Sequence, residues 1–290
     1  MHKFLRAIGF SDITKKDLEM ILDEVITRPE IMKITKDSEG NEFAELSGSF
    51  AANAGITVRG TYQEDDSFHM DYYYPYVFGT SITTNEQIDV EKHAEKESYA
   101  GVCDEVNLGV TLIFYIQNVA DYLAETNRHL SKIHYGAMLA GLSTEGKILC
   151  PVVERKKNDV PAIQKNDRHN QLIAQAREGD EDAIESLTLE DMDTYALLSQ
   201  RVMKEDIFSI VKSTFMPFGI ESDQYTVLGE IIDCVPMENK LTHEKLYGMK
   251  LLCNNIQFDV CINEKDLLGE PAIGRRFRGN VWMQGNLCLE

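Results

Sequence analysis

The amino-acid sequence predicts an α+β protein with an antiparallel-sheet N-terminal half, a helical middle and a small β-barrel-like C-terminal module. Apolar and polar residues alternate along several stretches of residues 56–152, which is the period of a strand. The apolar residues recur at helical spacing over residues 167–215, and alternation returns beyond residue 225. The predicted divisions are an α+β domain at 1–153, a linker at 154–166, a helical segment at 167–216 and a β-rich module at 217–290.

Residues 14–27 predict the first helix. Their apolar side chains share one face at helical spacing: Leu18, Ile21, Leu22, Val25 and Ile26. Thr14 can cap the start of this helix, with Asp17 three residues later, and Pro29 ends it.

The following hundred residues predict antiparallel sheet. Residues 56–62 and 68–78 alternate on either side of an acidic turn, which predicts a hairpin. Further along, the pattern predicts a strand at 106–116, a short helix at 119–125 and a second hairpin of strands 133–142 and 148–152. Gly146, in the turn of that second hairpin, is free to adopt a positive φ.

Beyond the sheet region the composition changes. The charged run 154–159 indicates a linker, and helices follow from residue 167, one of them capped by Asp180. The last segment predicts strands at 225–235, 246–253, 256–263 and 277–289. Asn254 and Asn255 suit a tight turn between the middle two strands, because asparagine tolerates the left-handed conformation. The strand count fits a small barrel, and an OB-like barrel is one candidate.

The composition limits the partners. With 48 acidic and 29 basic residues, the formal net charge is −19, which disfavours both nucleic acid and anionic membranes. The most apolar stretch, residues 110–116, is far shorter than the ~20 residues of a membrane-spanning helix, and residues 1–6 do not resemble the start of a secretory signal. The six cysteines include no Cys-x-x-Cys pair, in agreement with reduced thiols. We therefore expect a cytoplasmic protein without membrane association.

The sequence contains none of the motifs that announce a common catalytic site. It has no phosphate-cradling Gly-x-x-x-x-Gly-Lys-Ser/Thr, no Gly-x-Gly-x-x-Gly and no Gly-x-Ser-x-Gly. No group of His, Cys and carboxylate residues has a clear ligand spacing for a metal. We therefore expect no cofactor, no metal and no readable catalytic residue.

Two stretches are candidate binding surfaces. In the first, His69, Asp71 and Tyr73 lie on the strand face opposite an aromatic stripe that reads as core. Tyrosine is enriched at interfaces, so this face is a candidate surface for a partner or a ligand. The alternative is that the three are ordinary polar residues facing solvent.

The second candidate surface is one face of the last strand. Its members are Arg276, Arg278, Asn280, Trp282 and Gln284, which alternate with the apolar Phe277, Val281 and Met283. An arginine beside an aromatic ring suits a carboxylate, a phosphate or a stacked base. The alternative is a solvent-facing strand with Trp282 covering a barrel end.

Three stretches also carry a family resemblance: residues 1–11, residues 177–184 with 190–195, and residues 274–279. They resemble an uncharacterised family of bacterial proteins of similar length, known only as a domain of unknown function. The resemblance spans the whole chain and implies a bacterial cytoplasmic protein. It implies no catalytic residue and no mechanism.

These observations leave three functional hypotheses. The leading one is a non-enzymatic protein-binding or adaptor protein with an unknown protein partner. The second is a small-molecule or nucleotide sensor that uses the C-terminal Arg/Trp strand face. The third is an enzyme whose site cannot be read from sequence.

Overall fold

A computed structural model describes residues 1–92, 96–127, 134–152, 172, 175–176, 180, 182–187, 211–219 and 222–289. The helices are α1 (Lys15–Thr27) and α2 (Val119–Asn127), with 3₁₀ helices at Lys3–Ile8 and Glu264–Asp266. The strands are β1 (Ile31–Lys36), β2 (Glu42–Ala51), β3 (Ala54–Tyr62), β4 (Phe68–Val77), β5 (Thr84–Lys92), β6 (Tyr99–Glu105), β7 (Val110–Ile116), β8 (His134–Leu149), β9 (Thr214–Pro217), β10 (Gln224–Glu238), β11 (Lys245–Cys253), β12 (Ile256–Asn263), β13 (Leu267–Leu268) and β14 (Arg276–Leu287).

A four-stranded antiparallel sheet with the order β1-β2-β3-β4 carries α1 on its outer face. The predicted helix is confirmed, since Thr14 Oγ1 accepts a hydrogen bond from Asp17 N at 3.2 Å at the start of α1. The β3–β4 hairpin is confirmed as well. Leu18, Leu22 and Val25 of α1 belong to one buried cluster with apolar side chains from the outer face of this sheet, so that face is dry.

A ten-stranded mixed sheet makes up the rest of the described strands. Five of its strands form a first closed ring of hydrogen-bonded pairs, in the order β8-β5-β6-β7-β14. Five form a second closed ring, in the order β8-β14-β10-β11-β12. Each ring contains one parallel pair, β7–β14 in the first and β12–β8 in the second. The two rings share β8 and β14, and one hydrophobic cluster draws side chains from both.

The predicted α+β class with a helical middle is wrong for the described chain, which is mostly β. Much of the predicted segment 167–216, and all of the linker 154–166, lie outside the described residues. Residues 182–187 are helical, and Asp180 caps them by accepting a hydrogen bond from Asp182 N at 3.0 Å. Residues at the end of the segment instead form β9, which pairs with β10. The described residues show no helical middle domain.

The prediction of a small C-terminal barrel, OB-like or otherwise, is wrong for a physical reason. The C-terminal strands β10, β11, β12 and β14 do form a ring, but they need β8 from the other half of the chain to close it. β8 pairs with β12 in parallel along one edge and with β14 in antiparallel fashion along the other. It therefore closes the ring and leaves neither β12 nor β14 with an unpaired edge there.

The predicted hairpin at 133–152 is also wrong, because β8 is one strand of 16 residues that runs straight through the expected turn. Gly146 has no positive φ there. A Cβ atom at this position would lie 2.4 Å from Cε2 of Phe277. This glycine therefore allows a close approach of a core ring rather than a change of chain direction.

A candidate ligand-binding cleft between the two sheets

The inner face of the four-stranded sheet is polar although it is largely covered by the ten-stranded sheet and α2. Strand register aligns Lys33, Glu45 and Arg59 across β1, β2 and β3 in one row. The neighbouring row places Ser47 beside Thr57. Buried polar groups need hydrogen-bond partners, and such a face is costly to build for packing alone.

A cleft of about 330 Å³ opens over these rows. Its floor is the polar inner face, and its other wall comes from α2, β8, β14 and the segment after β4. The lining residues are Ile31, Lys33, Glu45, Ser47, Thr57, Tyr74, Phe78, Gln117, Asn118, Asp121, Met138, Asn286 and Leu287. Apolar and polar side chains are mixed in the way that suits a small ligand.

Arg59 fixes the inner end of the cleft floor and is completely buried. Its Nε donates to Glu45 Oε1 at 2.7 Å, and its Nη1 donates to the hydroxyls of Tyr72 and Tyr115 at 2.9 and 2.7 Å. Its Nη2 donates to the Tyr74 hydroxyl at 3.1 Å and to the backbone carbonyl of residue 117 at 2.8 Å. Burial by itself would lower the pKa of Arg59, but the surrounding hydroxyls and the Glu45 carboxylate hold it well above its ordinary value.

Two carboxylates tie the cleft to α2. Glu45 Oε2 accepts a hydrogen bond from Ala120 N at 2.9 Å, in the first turn of α2, where the helix dipole favours an anion. At the rim, Lys33 Nζ lies 2.5 Å from Asp121 Oδ2, and both side chains are partly exposed. The cleft thus has a buried ion pair inside and an accessible ion pair at its mouth.

Two glutamines join the sheets behind the cleft. Gln117 Nε2 donates to the carbonyl of Val77 at 2.9 Å and to Gln284 Oε1 at 2.8 Å. Gln284 Nε2 donates in turn to the carbonyl of Pro75 at 2.8 Å. Among the residues that the structure describes, no group donates to the buried Gln117 Oε1. Gln117 lines the cleft, but this oxygen atom is itself buried beneath the cleft surface.

Tyr74 acts as a neutral hydrogen-bond donor in this floor. Burial raises the pKa of Tyr74 far above the physiological range, so its hydroxyl keeps its proton. That hydroxyl donates to the Gln117 carbonyl at 3.2 Å. The proton of Tyr74 is therefore used inside the protein, where it helps to hold the floor of the cleft in place.

The C-terminal residues predicted as a surface do not form one exposed face. Arg276 is buried and donates to the carbonyls of Cys150 and Val211 at 2.9 and 2.6 Å. Trp282 is buried too, with its ring 5.2 Å from that of Phe4 and its Nε1 donating to Asp223 Oδ2 at 2.6 Å. Gln284 is fully buried, and its Oε1 accepts a hydrogen bond from the cleft residue Gln117.

Arg278 and Asn280 lie elsewhere on the same strand. They line a separate shallow pocket of about 240 Å³ together with Lys147 and Thr226. Asn280 accepts a hydrogen bond from Thr226 Oγ1 at 2.7 Å and donates to Glu145. These two residues belong to a surface distinct from the cleft.

The residues of the first predicted surface also separate. His69 is exposed, while Asp71 is half-buried and its backbone carbonyl accepts from Lys96 Nζ at 2.7 Å. The Tyr73 hydroxyl accepts a hydrogen bond from His2 N at 3.2 Å. Because the His2 ring also packs 4.9 Å from the Trp282 ring, the N-terminal segment covers parts of both predicted surfaces.

Sequence reasoning missed the cleft residues. Their signal is the alternation of Glu45 and Ser47 with apolar neighbours in β2, and of Thr57 and Arg59 in β3. Such alternation predicts a polar strand face but not whether water or a second sheet covers it. Only the long-range packing of the ten-stranded sheet shows that this face is enclosed.

The described residues contain no group of three or more His, Cys, Asp or Glu residues arranged to hold a metal ion. No helix within the described part of the chain has the length and apolar character needed to cross a membrane.

Comparison with known proteins gives one match. Residues 5–285 match the family model described as a domain of unknown function, E. rectale gene description (DUF3881). This confirms the resemblance carried by the three sequence stretches. No curated protein and no solved structure matches the chain.

Proposed function

We propose that this chain, which belongs to the DUF3881 family of domains of unknown function, binds a small polar molecule in the cleft between its two sheets. The observation that carries the proposal is the cleft of about 330 Å³ over a largely buried polar floor. The polar side chains of this floor share the cleft with apolar ones, a mixture that suits a small ligand. The proposal is the sensor hypothesis moved from the C-terminal strand face to the cleft.

The experiment is native mass spectrometry of the protein purified gently from cells that make it naturally. We expect an added mass of a few hundred daltons on the wild-type chain. Ile31→Trp should remove that mass, because Ile31 lines the cleft, is 43% exposed and leaves room at the rim for an indole that would fill the opening.

Met32→Trp is the matched control. Met32 is the next residue of the same strand, is 49% exposed and is paired with Leu46 on the opposite face of the sheet. The control should keep the added mass. A wild-type protein of bare chain mass, or equal retention by both variants, would contradict the proposal.

A protein partner is the second candidate function, in line with the adaptor hypothesis. It is favoured by the apolar side chains that the edge strand β1 exposes on the face opposite the cleft, Met32 and Ile34. The same mass spectra would then show a protein-sized addition, and Met32→Trp rather than a cleft variant would change it. A cytoplasmic location is part of both proposals.

A further inference from the structure

The outer side of β1 is an open strand edge. β1 is the outermost strand of the four-stranded sheet, and no strand that the structure describes pairs with its free edge. Folded proteins commonly block such an edge with a bulge, a proline or charged side chains, because exposed backbone groups recruit further strands. The register of β1 with β2 contains no bulge, and its six residues include no proline. Only the lysines of β1 remain as a means of selecting what pairs with it.

Strand pairing decides which backbone groups of β1 face outward. In an antiparallel pair, alternate residues turn both their N–H and their C=O toward the partner strand. Asp37 N donates to Asn41 O at 3.0 Å just beyond the end of β1, so the odd-numbered residues of β1 bond to β2. Met32 and Ile34 therefore turn their N–H and C=O groups to the free edge.

The third residue of this outward set is Lys36, and it supports the same direction. Its carbonyl is not used by β2 but accepts a hydrogen bond from Asn127 Nδ2 at the end of α2, at 2.8 Å. The four backbone groups of Met32 and Ile34 are thus the ones offered to an added strand.

The same two residues carry apolar side chains on the outer face of the sheet. Met32 is 49% exposed and Ile34 is 44% exposed, although their neighbours on β2, Leu46 and Ala44, are completely buried. The reason is that α1 packs over β2 and β3. Met32 and Ile34 therefore form an apolar strip between α1 and the open edge.

The charge beside this strip is positive, although the whole chain is strongly acidic. Lys36 is exposed and follows Met32 and Ile34 on the outer face, while Lys33 on the inner face is held by Asp121 at 2.5 Å. A carboxylate on an added strand, opposite Lys36, would form a favourable cross-strand pair.

A second copy of the chain is a poor occupant of this edge. An antiparallel pairing that matches Met32 with Ile34 of the copy sets the two Lys33 side chains opposite each other, and like charges in that position are unfavourable. Each chain also carries a formal net charge of −19, so two copies repel.

We infer that the free edge of β1 binds an extended acidic segment of another protein by strand addition. Antiparallel pairing is the more stable orientation. In that orientation the segment reads acidic-x-apolar-x-apolar from its N-terminal side, and its side chains meet Lys36, Ile34 and Met32 in turn. The inference rests on the second candidate function, the protein partner, and does not depend on a ligand in the cleft.

The test is fluorescence polarisation of a labelled peptide titrated with the full chain. The probe is Ser-Glu-Thr-Val-Thr-Val-Ser, and Ser-Lys-Thr-Val-Thr-Val-Ser reverses its one charge. We expect saturable binding of the Glu peptide, at least fivefold tighter than that of the Lys peptide. Ser-Glu-Thr-Pro-Thr-Val-Ser should not bind, because proline removes the N–H that faces the Ile34 carbonyl.

A charge reversal in the protein locates this binding. Lys36→Glu should invert the preference, so that the Lys peptide binds at least fivefold tighter than the Glu peptide. Lys16→Glu is the matched control, because Lys16 is an exposed lysine of α1 and its replacement changes the net charge by the same amount. That variant should keep the wild-type preference.

Amide hydrogen exchange measured by nuclear magnetic resonance distinguishes strand addition from other modes of binding. In the free protein the amides of Lys33 and Thr35 should exchange slowly, because they bond to β2, while those of Met32 and Ile34 should exchange fast. The Glu peptide should slow the exchange of Met32 and Ile34 at least tenfold.

The outcomes are decisive and separate from those of the cleft. No saturable binding of the Glu peptide, or a charge preference that Lys36→Glu leaves unchanged, would overturn the inference. Slow exchange of Met32 and Ile34 in a dimer of the free chain would overturn it in favour of a second copy. None of these results alters the small-molecule mass in native mass spectra, so a failure here is distinguishable from a failure of the proposed cleft ligand.

Discussion

His2 shows how a single titratable residue is held neutral by packing. Its ring lies 4.9 Å from the Trp282 ring and 5.9 Å from the Phe4 ring, and no described group bonds to its buried Nδ1. Burial and the neighbouring Lys3 ammonium lower the pKa of His2 from 6.5 to about 4. The folded protein therefore resists protonation at a position where the unfolded chain accepts a proton.

This pKa predicts an acid-labile contribution to stability. Between pH 6.5 and about pH 4 the unfolded chain binds more protons at His2, so the free energy of unfolding falls as the pH falls through that window. His2→Phe keeps a ring on Trp282 but cannot titrate. Chemical denaturation at pH 7 and pH 5 should show a loss about 1–2 kcal/mol smaller for the variant than for the wild type.

Comparing His2→Phe with the wild type removes the contribution of other groups that titrate in acid, because both proteins contain them. Burial favours a raised pKa for Glu97, but hydrogen bonds from Ser38, Tyr99 and Lys92 outweigh it and lower that pKa, so its contribution is lost in acid in both proteins. Identical pH dependence of the two proteins would show that His2 does not carry a depressed pKa.

For single residues, the sequence predicts the backbone conformation better than it predicts which distant residues pack against the side chain. Asn254 and Asn255 have φ angles of 47° and 68°, as expected for a tight turn. Gly146 was expected in a turn and lies in a strand, because what selects glycine is Phe277, 131 positions away in the sequence. Trp282 was expected on an exposed face and is buried by Phe4 and His2, which are almost the whole chain length away. Local patterns carry no information about such partners.

The buried Arg59–Glu45 pair connects five elements, since Arg59 also donates to the hydroxyls of Tyr72 and Tyr74 in β4. Arg59 lies in β3 and Glu45 in β2, while their hydrogen bonds reach Tyr115 in β7 and the first turn of α2. The pair thus fastens the four-stranded sheet to the ten-stranded sheet. A charge without its partner in such a place is strongly destabilising.

We therefore expect Arg59→Met to lower the free energy of unfolding by about 3–5 kcal/mol. The variant removes the guanidinium, so the buried Glu45 carboxylate loses its counter-charge and three tyrosine hydroxyls lose a donor. Adding Glu45→Leu should recover part of that loss. Urea denaturation measures both variants, and Lys15→Met in the exposed Lys15–Glu19 pair of α1 is the control that should change little. A single Arg59 variant as stable as the wild type would exclude the role assigned to this pair.

Elements with local signals were predictable and elements defined by pairing were not. α1, α2 and the β3–β4 hairpin follow from period and capping within one stretch of sequence. The strand predicted at 106–116 begins at Val110 in the structure. The strand before it, β6, was not predicted, because its place in the sheet is set by pairing with β5 and β7. The predicted bounds of the C-terminal strands lie close to the observed ones. Their pairing with β8 could not be predicted, because the sequence of a strand does not show which distant strand it pairs with.

For the whole molecule, the two rings share their central strands and one core. β8 and β14 belong to both rings, and Val281 of β14 is buried in the cluster that unites them. Neither ring can open at these strands without opening the other. The molecule should therefore lose its β-structure in one step.

Hydrogen exchange measured by mass spectrometry tests this. The most protected amides of β6 in the first ring and of β11 in the second should exchange with the same opening free energy. Val281→Ala, which costs about 2 kcal/mol as a core truncation, should reduce protection equally in both strands. Exchange of β6 at a lower opening free energy than β11 would show that the rings open independently.

The position of β14 also matters for the order in which the protein is made. Translation proceeds from the N-terminal to the C-terminal side, so β8 leaves the ribosome more than a hundred residues before Arg276–Leu287, the strand that pairs with it along most of its length. Until then neither ring can close, and the nascent chain carries seven earlier ring strands with incomplete pairing. Closure of both rings is thereby delayed until β14 has been made, and contacts between such distant segments make folding slow. During that interval the edges of those strands are open to association with other chains.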